Sequence, residues 1–516
     1  MTLNPPGVDG FLQVLLIAVL AVPALGAVVV ALVPARSDRG ARIVATGFAT
    51  VTLIVAVALA ALPSTRDLGG FRYTSTDGIP VVPKAEVDLA WVPRLGIDFH
   101  LGIDGISYPL VLLTALLTVL CCGYTVWKVP AGGSGRTLAA LLLVLEVGIL
   151  GTFLALDLVL FFIFFEVVLL PMYAVIAGWG GGPRRRAAAR KFVLYTLFGS
   201  VLLLLGVFTV VVAAGTADML ALAGGFGLSR TTQLAAFTLF AIAFAVKAPL
   251  WPLHTWLPDA HTEAPTVGSV ILAGVLLKMG TYGLVRVGIG VAPEGARWAA
   301  PVLGVLAVAA ILAGSLICLR QTELKRLIAY SSVGHMGFVL LGIATGTATG
   351  VQAALVGNVA HGVITGLLFF LAGAIKDRGH TGDLADLGGL RETAPRLAGL
   401  LGFAAIASLG LPGLAGFWGE AFAVVASIER GGGLWTTLAV LAAAGGALTA
   451  VYFLRLLRRV THGPATPAVT GIPRIAGPEW LAWSPLVLLT LAVGLVPALV
   501  LAASADPVAA LTGALR

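Results

Sequence analysis

Four ionisable side chains of this chain lie in stretches that are otherwise apolar. Glu166 stands within Phe161-Phe162-Ile163-Phe164-Phe165-Glu166-Val167-Val168-Leu169-Leu170-Pro171. Lys247 immediately precedes Ala248-Pro249-Leu250-Trp251-Pro252, Lys278 lies in Leu276-Leu277-Lys278-Met279-Gly280, and Glu420 closes Gly416-Phe417-Trp418-Gly419-Glu420. Placing one such charge at the centre of a membrane helix costs about 2.5–3.5 kcal/mol on insertion scales, so these residues are scarce unless they face a polar interior. A carboxylate and an ammonium in one bundle can be a static ion pair. The second lysine, with no further carboxylate in view until Glu420, points instead to a row of titratable sites. Desolvation favours the neutral form of either residue type and an adjacent opposite charge favours the ionised form, so moving the partner toggles protonation and can pass a proton along the row.

Two histidines extend that chemistry: His335 in Ser331-Ser332-Val333-Gly334-His335-Met336-Gly337 and His361 in Asn358-Val359-Ala360-His361-Gly362. Imidazole both donates and accepts, which suits a relay between lysine sites, although a histidine in a bundle can also be merely hydrogen-bonded. The hydroxyls of Ser331 and Ser332 either hold relay waters or satisfy the backbone. Glu146 is buried in an apolar run with no partner nominated by its neighbours. His254, Asp259, His261 and Glu263 crowd one helix end, as a proton entrance or as an ordinary polar turn. The three cysteines, Cys121, Cys122 and Cys318, have no metal-ligand or iron–sulfur spacing, so no redox centre and no metal site is expected in this chain.

The elements that must position these groups are membrane helices. Of 516 residues 59% are hydrophobic and only 11% charged, a balance that no water-soluble domain carries on its surface. Apolar runs of about twenty residues recur, each long enough to cross a hydrocarbon core of about 30 Å as a helix. The alternation of a membrane barrel is nowhere present. The run from Phe11 to about Val33 lacks a basic leading segment and is too long for a secretory signal core, so it reads as a retained first helix. The fold class is an all-α polytopic membrane protein of about 14 transmembrane helices. The expected spans are 11–33, 42–62, 105–127, 137–155, 158–179, 188–214, 232–257, 264–286, 298–319, 325–345, 350–375, 397–428, 433–457 and 483–504.

Alternate assignment of the loops collects roughly 21 Lys/Arg on one side and roughly 9 on the other. The richer side holds Arg36 and Arg39, the cluster from Arg184 to Lys191, Lys325 and Arg326, Arg391 and Arg396, and Arg455, Arg458 and Arg459. The positive-inside rule makes that side cytoplasmic and puts both termini outside. The +8 formal charge thus serves topology and not nucleic-acid binding. The long outer loop from Pro63 to His100 reads as an irregular cap.

Two helices carry breakers at mid-span, the seventh at Pro249 and Pro252 and the twelfth at Gly410-Leu411-Pro412-Gly413. Each alone could be a proline kink. The two breaks lie five helices apart, an odd number, so a repeat relating them is inverted across the membrane, the architecture in which discontinuous helices line an ion site. The chain then divides into helices 1–3 with the outer loop (1–136), a first five-helix repeat (137–290), a second, inverted repeat (291–460) and a C-terminal helix (461–516).

The stretches from Phe164 to Trp179, Lys247 to Lys278 (with HTWLPDAH its most specific part), Lys325 to Phe338, His361 to Ala372 and Leu409 to Glu420 closely resemble the antiporter-like membrane subunits of respiratory complex I, the NADH:quinone oxidoreductase. The resemblance implies a proton-translocating role in a bacterial cell membrane. Glu166 and Lys247 would be the family's buried pair, Lys278 the connecting lysine, His335 and His361 the continuation of the polar axis, and Glu420 the exit site. Sister subunits carry lysine at this last position, so the glutamate points to the M type and away from a cation/proton antiporter of the Mrp class; a related membrane-bound hydrogenase is the other alternative. FMN, iron–sulfur clusters and quinone are expected in partner subunits, and the L- and N-type antiporter-like subunits as neighbours. The first two helices, the 63–100 loop and the C-terminal tail match only in hydropathy.

Overall fold

The computed structural model describes residues 8–62 and 83–515. Arg66, Arg72 and the rest of 63–82, the first part of the expected irregular cap, lie outside the described residues. The first half of the chain runs through α1 (Val8–Leu32), α2 (Asp38–Ala61), β1 (Ala85–Val92), β2 (Ile97–Ile103), α3 (Tyr108–Trp127), α4 (Gly135–Leu154), α5 (Leu158–Val167), α6 (Leu169–Trp179), α7 (Arg185–Ala214), α8 (Arg230–Lys247) and α9 (Trp256–Glu263). The second half follows as α10 (Thr266–Ile271), α11 (Leu277–Gly283), α12 (Pro293–Cys318), α13 (Leu324–Thr345), α14 (Ala348–Gly379), the single turn α15 (Leu390–Thr393), α16 (Pro395–Ser408), α17 (Gly416–Arg430), α18 (Gly433–Thr461), α19 (Gly477–Leu495) and α20 (Ala498–Gly513).

Among the described residues, 12 helical stretches are long and apolar enough to cross a membrane, α5 with α6 and α10 with α11 each forming one of them. The expected seventh and twelfth helices are absent from that set because both are broken, and adding them restores about fourteen crossings. At the first break Pro249 and Pro252 have no N–H to offer the preceding turn. Leu250 N still reaches Ala245 O at 2.9 Å, after which α-helix resumes only at Trp256. The Trp256 indole then reaches back across the gap to Val246 O at 3.0 Å. At the second break Gly410 and Gly413 take φ of 72° and 91°, a conformation that side chains strain to adopt, with Pro412 between them. Here α19 closes the gap: Ala415 N donates to Thr490 O at 3.1 Å and Trp418 Nε1 to Gly494 O at 2.8 Å.

Two expectations need correction. The part of the outer loop that is described is not irregular: Ala85–Val92 and Ile97–Ile103 pair as an antiparallel hairpin with a bulge between Ala90 and Val92. Its turn needs Gly96, at φ 60°, where a Cβ would sit 2.7 Å from Gly215 O. The hydropathy of the whole loop hid this short alternation. The last helix is also not one span over 483–504. Pro478 starts α19 earlier, at Gly477, the helix ends at Leu495 before Pro497, and a separate short helix α20 follows.

The molecule is layered. In the stretch Thr266–Ile289 and in α14 the apolar core segment is buried throughout, and α13 is nearly so, whereas α1, α2, α7, α12 and α18 turn much of their surface outward. On α7 the outward face is Leu194, Leu197, Phe198, Val201, Leu205 and Phe208, a surface suited to lipid or to a neighbouring membrane protein. The buried central helices carry Lys278, His335 and His361.

Candidate functional site: a buried row of acids, bases and histidines

Lys278 has no exposed surface. It lies in α11, between two π-helical turns at Leu272–Leu276 and Leu284–Ile289. Such turns are rare and cluster at functional sites, because the extra residue frees a backbone carbonyl from the regular ladder. Here Ala273 O in the first π turn accepts from Lys278 Nζ at 2.5 Å. The same Nζ is in hydrogen-bond contact with His361 Nδ1 at 2.6 Å. Glycines make that reach possible: a Cβ on Gly362 would lie 2.7 Å from Gly274 O, so α14 presses backbone against the π turn one residue from His361. One helical turn away Thr281 Oγ1 donates to Asn358 Oδ1 at 3.0 Å, locking the two helices in the same register.

The second contact lies beside the first. His335 Nδ1 on α13 meets Glu420 Oε1 on α17 at 2.7 Å. Again a glycine contact sets the approach, since a Cβ on Gly419 would come within 2.6 Å of Gly357 Cα. The His335 and His361 rings are 5.8 Å apart, centroid to centroid. The Nε2 atom of each is buried without a protein partner. A cavity of about 30 Å³ adjoins both rings, Thr365, Ser408 and Glu420. That is room for a water, which needs only about 10–15 Å³ and a few polar neighbours. Lys278, His361, His335 and Glu420 therefore form one row in which every member is within a hydrogen bond or a water's width of the next.

Glu166 and Lys247, expected as a buried pair, are arranged differently from the row. No ion pair within 4 Å joins them among the described residues. Glu166 accepts a short hydrogen bond from Ser200 Oγ of α7. Lys247 is the last residue of α8, and its Nζ lies 4.7 Å from the centre of the Phe165 ring. Both placements have local causes. Pro171 cannot bond back to Val167, and the helix is interrupted at Val168 just past Glu166. The C-terminal end of α8 attracts an ammonium, and the face of Phe165 holds it there.

The polar group at the end of the first broken helix is a built network. Asp259 takes Lys191 Nζ at 2.7 Å and Arg326 Nη1 at 3.0 Å, tying α9 to α7 and to α13. Part of the Arg184–Lys191 cluster thus holds the broken helix in addition to serving topology. His254, His261 and Glu263 are all buried beside it. Ser331 and Ser332 both donate to Ile328 O, satisfying their hydroxyls on their own helix. Glu146 is fully buried with neither carboxyl oxygen partnered, and it stays outside the row. Among the described residues no three His, Cys, Asp or Glu side chains group as a metal site.

Several groups escaped the sequence reading. Ser200, the partner of Glu166, is a serine like many others in an apolar run. Lys325 was placed in a loop by its neighbour Arg326, yet it is buried and donates to Ala264 O at 3.0 Å. Arg286 pairs with buried Asp104, and Arg378 with fully buried Glu479. On the hairpin, His100 sits between Glu86 at 2.9 Å and Asp218 at 3.3 Å. Burial opposes its charge, but the hydrogen bonds it donates to Asp218 and Glu86 prevail and push its pKa up to about 10.

Broken helices, a buried lysine between π turns and a central acid–histidine row define a membrane ion-translocating subunit built like a transporter half. A family model described as NADH:quinone oxidoreductase/Mrp antiporter, transmembrane, matches residues 155–446. The chain belongs to that family. NADH-quinone oxidoreductase subunit M of Rhodobacter capsulatus is 39% identical over 506 residues, covering 95% of this chain and 94% of the relative. A chain of respiratory complex I from Thermus thermophilus with bound NADH superposes with a TM-score of 0.84 at 30% identity, covering 97% of this chain and all of that one. The Mrp complex from Dietzia sp. shares the fold, with a TM-score of 0.80 at 23% identity over 52% of its longer chain.

Proposed function

We propose that this chain is the M-type, proton-translocating antiporter-like subunit of NADH:quinone oxidoreductase. The observation that carries the reading is the row from Lys278 through His361 and His335 to Glu420 in the buried centre of the bundle. Lys278 is the connecting site between the two halves, Glu166 and Lys247 form the site of the first half, and Glu420 is the site from which the proton leaves. The first half is the repeat over 137–290 and the second its inverted counterpart over 291–460, flanked by 1–136 and 461–516. Moving one charge against 100 mV costs about 2.3 kcal/mol, which rearranged buried charges and water must transmit.

NADH oxidation and quinone reduction take place in partner subunits, which hold the FMN, the iron–sulfur clusters and the quinone. The L- and N-type subunits are the neighbours of this one. The chain lies in a bacterial cell membrane with its basic loops in the cytoplasm and both termini outside. Glu420 and the 39% relationship to a subunit M both favour this reading over an Mrp-type cation/proton antiporter. The test is Lys247→Ala in the intact complex, with quinone-coupled proton pumping measured in membrane vesicles. A positioned proton-transfer group contributes on the order of 10²–10⁴ in rate, and a loss of that order is expected. Unchanged pumping in an assembled complex defeats the assignment.

A further inference from the structure

One face of the long helix α7 is turned outward along its whole length. Leu194, Phe198, Val201, Leu205, Phe208 and Val212 follow one another at steps of three and four residues, so they share one stripe, and each is 49% exposed or more. Carried back to the start of the helix at the same spacing, the stripe runs through Lys191 and Ala187. These two residues line a cavity of about 120 Å³ on the side that carries the basic loops. Arg184, Asp259, Glu263 and Arg326 stand in the same wall, so the cavity lies where α7, α9 and α13 meet.

Three cations face two carboxylates in that wall. Asp259 is engaged by Lys191 at 2.7 Å and by Arg326 at 3.0 Å, and Glu263 rests its carboxyl against Gly182. Arg184 makes no ion pair among the described residues, and its neighbours Arg186 and Arg190 add exposed positive charge. The first turn of α7 reinforces the excess, because it holds no acid and its N-cap supplies no side-chain acceptor. Topology accounts for basic residues on this side of the membrane. It does not account for a cavity with one uncompensated positive charge at the head of an exposed apolar stripe.

We propose that this cavity takes the phosphate of an anionic phospholipid from the leaflet on the basic-loop side, with an acyl chain laid along the α7 stripe. A phosphodiester carries one negative charge, which balances the excess, and the Arg184 guanidinium offers it the paired N–H donors that suit phosphate. The cavity has room for about four water molecules at liquid density, and so for a phosphate group. The depth also fits: Lys191 to Val201 spans about 15 Å of helix, half of a hydrocarbon core of about 30 Å. Basic pockets between membrane helices on this side of a bilayer are where anionic headgroups bind. A soluble anion would fill the cavity and leave the stripe unused, and a carboxylate from another protein chain would cover the stripe and keep lipid off it. The bound phosphate touches α7, α9 and α13 together, so the lipid clasps the short helix after the first break to its two neighbours.

The experiment reconstitutes the assembled complex in phosphatidylcholine vesicles that contain a trace of photoactivatable lipid, either phosphatidylglycerol or phosphatidylcholine, with the reactive group at mid-chain. Labelled peptides are then identified by mass spectrometry. Labelling of residues 194–201 should be several-fold higher with the phosphatidylglycerol probe. That preference should vanish when Arg184→Gln is combined with Ala187→Glu, which sets a carboxylate in the cavity wall, and should persist in Arg190→Gln, outside that wall. Arg184→Gln alone, a change at an exposed residue, covers the case in which the double variant fails to assemble. Equal labelling by the two lipids in the unaltered complex overturns the proposal without any variant. A segment that neither probe labels is covered by another chain, which also overturns it. Loss of the preference on adding inorganic phosphate at constant ionic strength makes a soluble anion the occupant, and a preference that survives the variants in complexes shown intact by native electrophoresis places the lipid elsewhere; either result overturns the proposal.

Discussion

The two halves of the bundle hold the same kind of acid–base pair in opposite conditions. In the second half His335 and Glu420 are in contact at 2.7 Å. In the first half the carboxylate of Glu166 is turned to a serine and the ammonium of Lys247 to an aromatic face. The chemistry is also exchanged: the acid precedes the broken helix in the first half and sits on the broken helix in the second. The difference teaches that burial alone does not close such a pair. A glycine-to-glycine approach between α14 and α17 brings Glu420 within reach, while competing local partners on α5, α7 and α8 hold the first pair apart.

Breaking the closed pair should have the largest effect. Glu420→Gln removes the charge from a hydrogen bond of the charge-assisted kind, worth about 1.5–3 kcal/mol, and should lower the unfolding temperature of the purified complex measurably. The same change at Glu166, where glutamine can still accept from Ser200, should leave the unfolding temperature close to that of the unaltered protein. Equal losses at the two positions would erase the distinction between a closed and an open pair.

A smaller effect is expected from Ser200→Ala, which removes one neutral donor and about 1 kcal/mol of hydrogen bonding. Glu166 is then free to turn toward Lys247. Difference infrared spectra should show a shifted carboxyl band that vanishes in Glu166→Gln. A band that does not move in Ser200→Ala would mean that the serine does not hold the carboxylate away from its lysine.

The hairpin supplies a third arrangement, a histidine–carboxylate contact outside the membrane. His100, raised from an ordinary value of 6.5 to about 10, contributes to the stability of the hairpin fully below pH 6.5. That contribution is lost as pH rises toward and through 10. Hydrogen exchange over Ala85–Ile103 should therefore show the hairpin opening more readily relative to His100→Gln as pH climbs from 7 to 10. A pH-independent difference would show that the imidazolium is not what holds Glu86 and Asp218 together. The effect is confined to the hairpin and leaves the membrane-spanning part untouched.

Much of the site was legible before any coordinates. Glu166, Lys247, Lys278 and Glu420 stand out because each interrupts an apolar run at a cost that insertion into lipid does not tolerate without a function. The breaks at Pro249 and Gly410–Gly413 are equally plain, since proline has no N–H and glycine alone adopts positive φ freely. Ser200 and Lys325 were not legible. A serine in a membrane helix usually bonds its own backbone, and a lysine beside Arg326 at a helix start looks like a topology anchor until the neighbouring helices bury it.

Composition and local pattern thus decided the membrane class, the about fourteen crossings, the two discontinuities and the identity of the charged groups at depth. These follow from the free energy of moving each residue from water into lipid, a property of the chain segment itself. Which group touches which was decided only by tertiary structure. The contact between Lys278 and His361 depends on ångström-scale helix approach set by Gly274 and Gly362, and that between His335 and Glu420 on Gly357 and Gly419, whereas Ser200 and Phe165 hold Glu166 and Lys247. That approach arises from packing between segments up to eighty residues and more apart, which no single segment encodes.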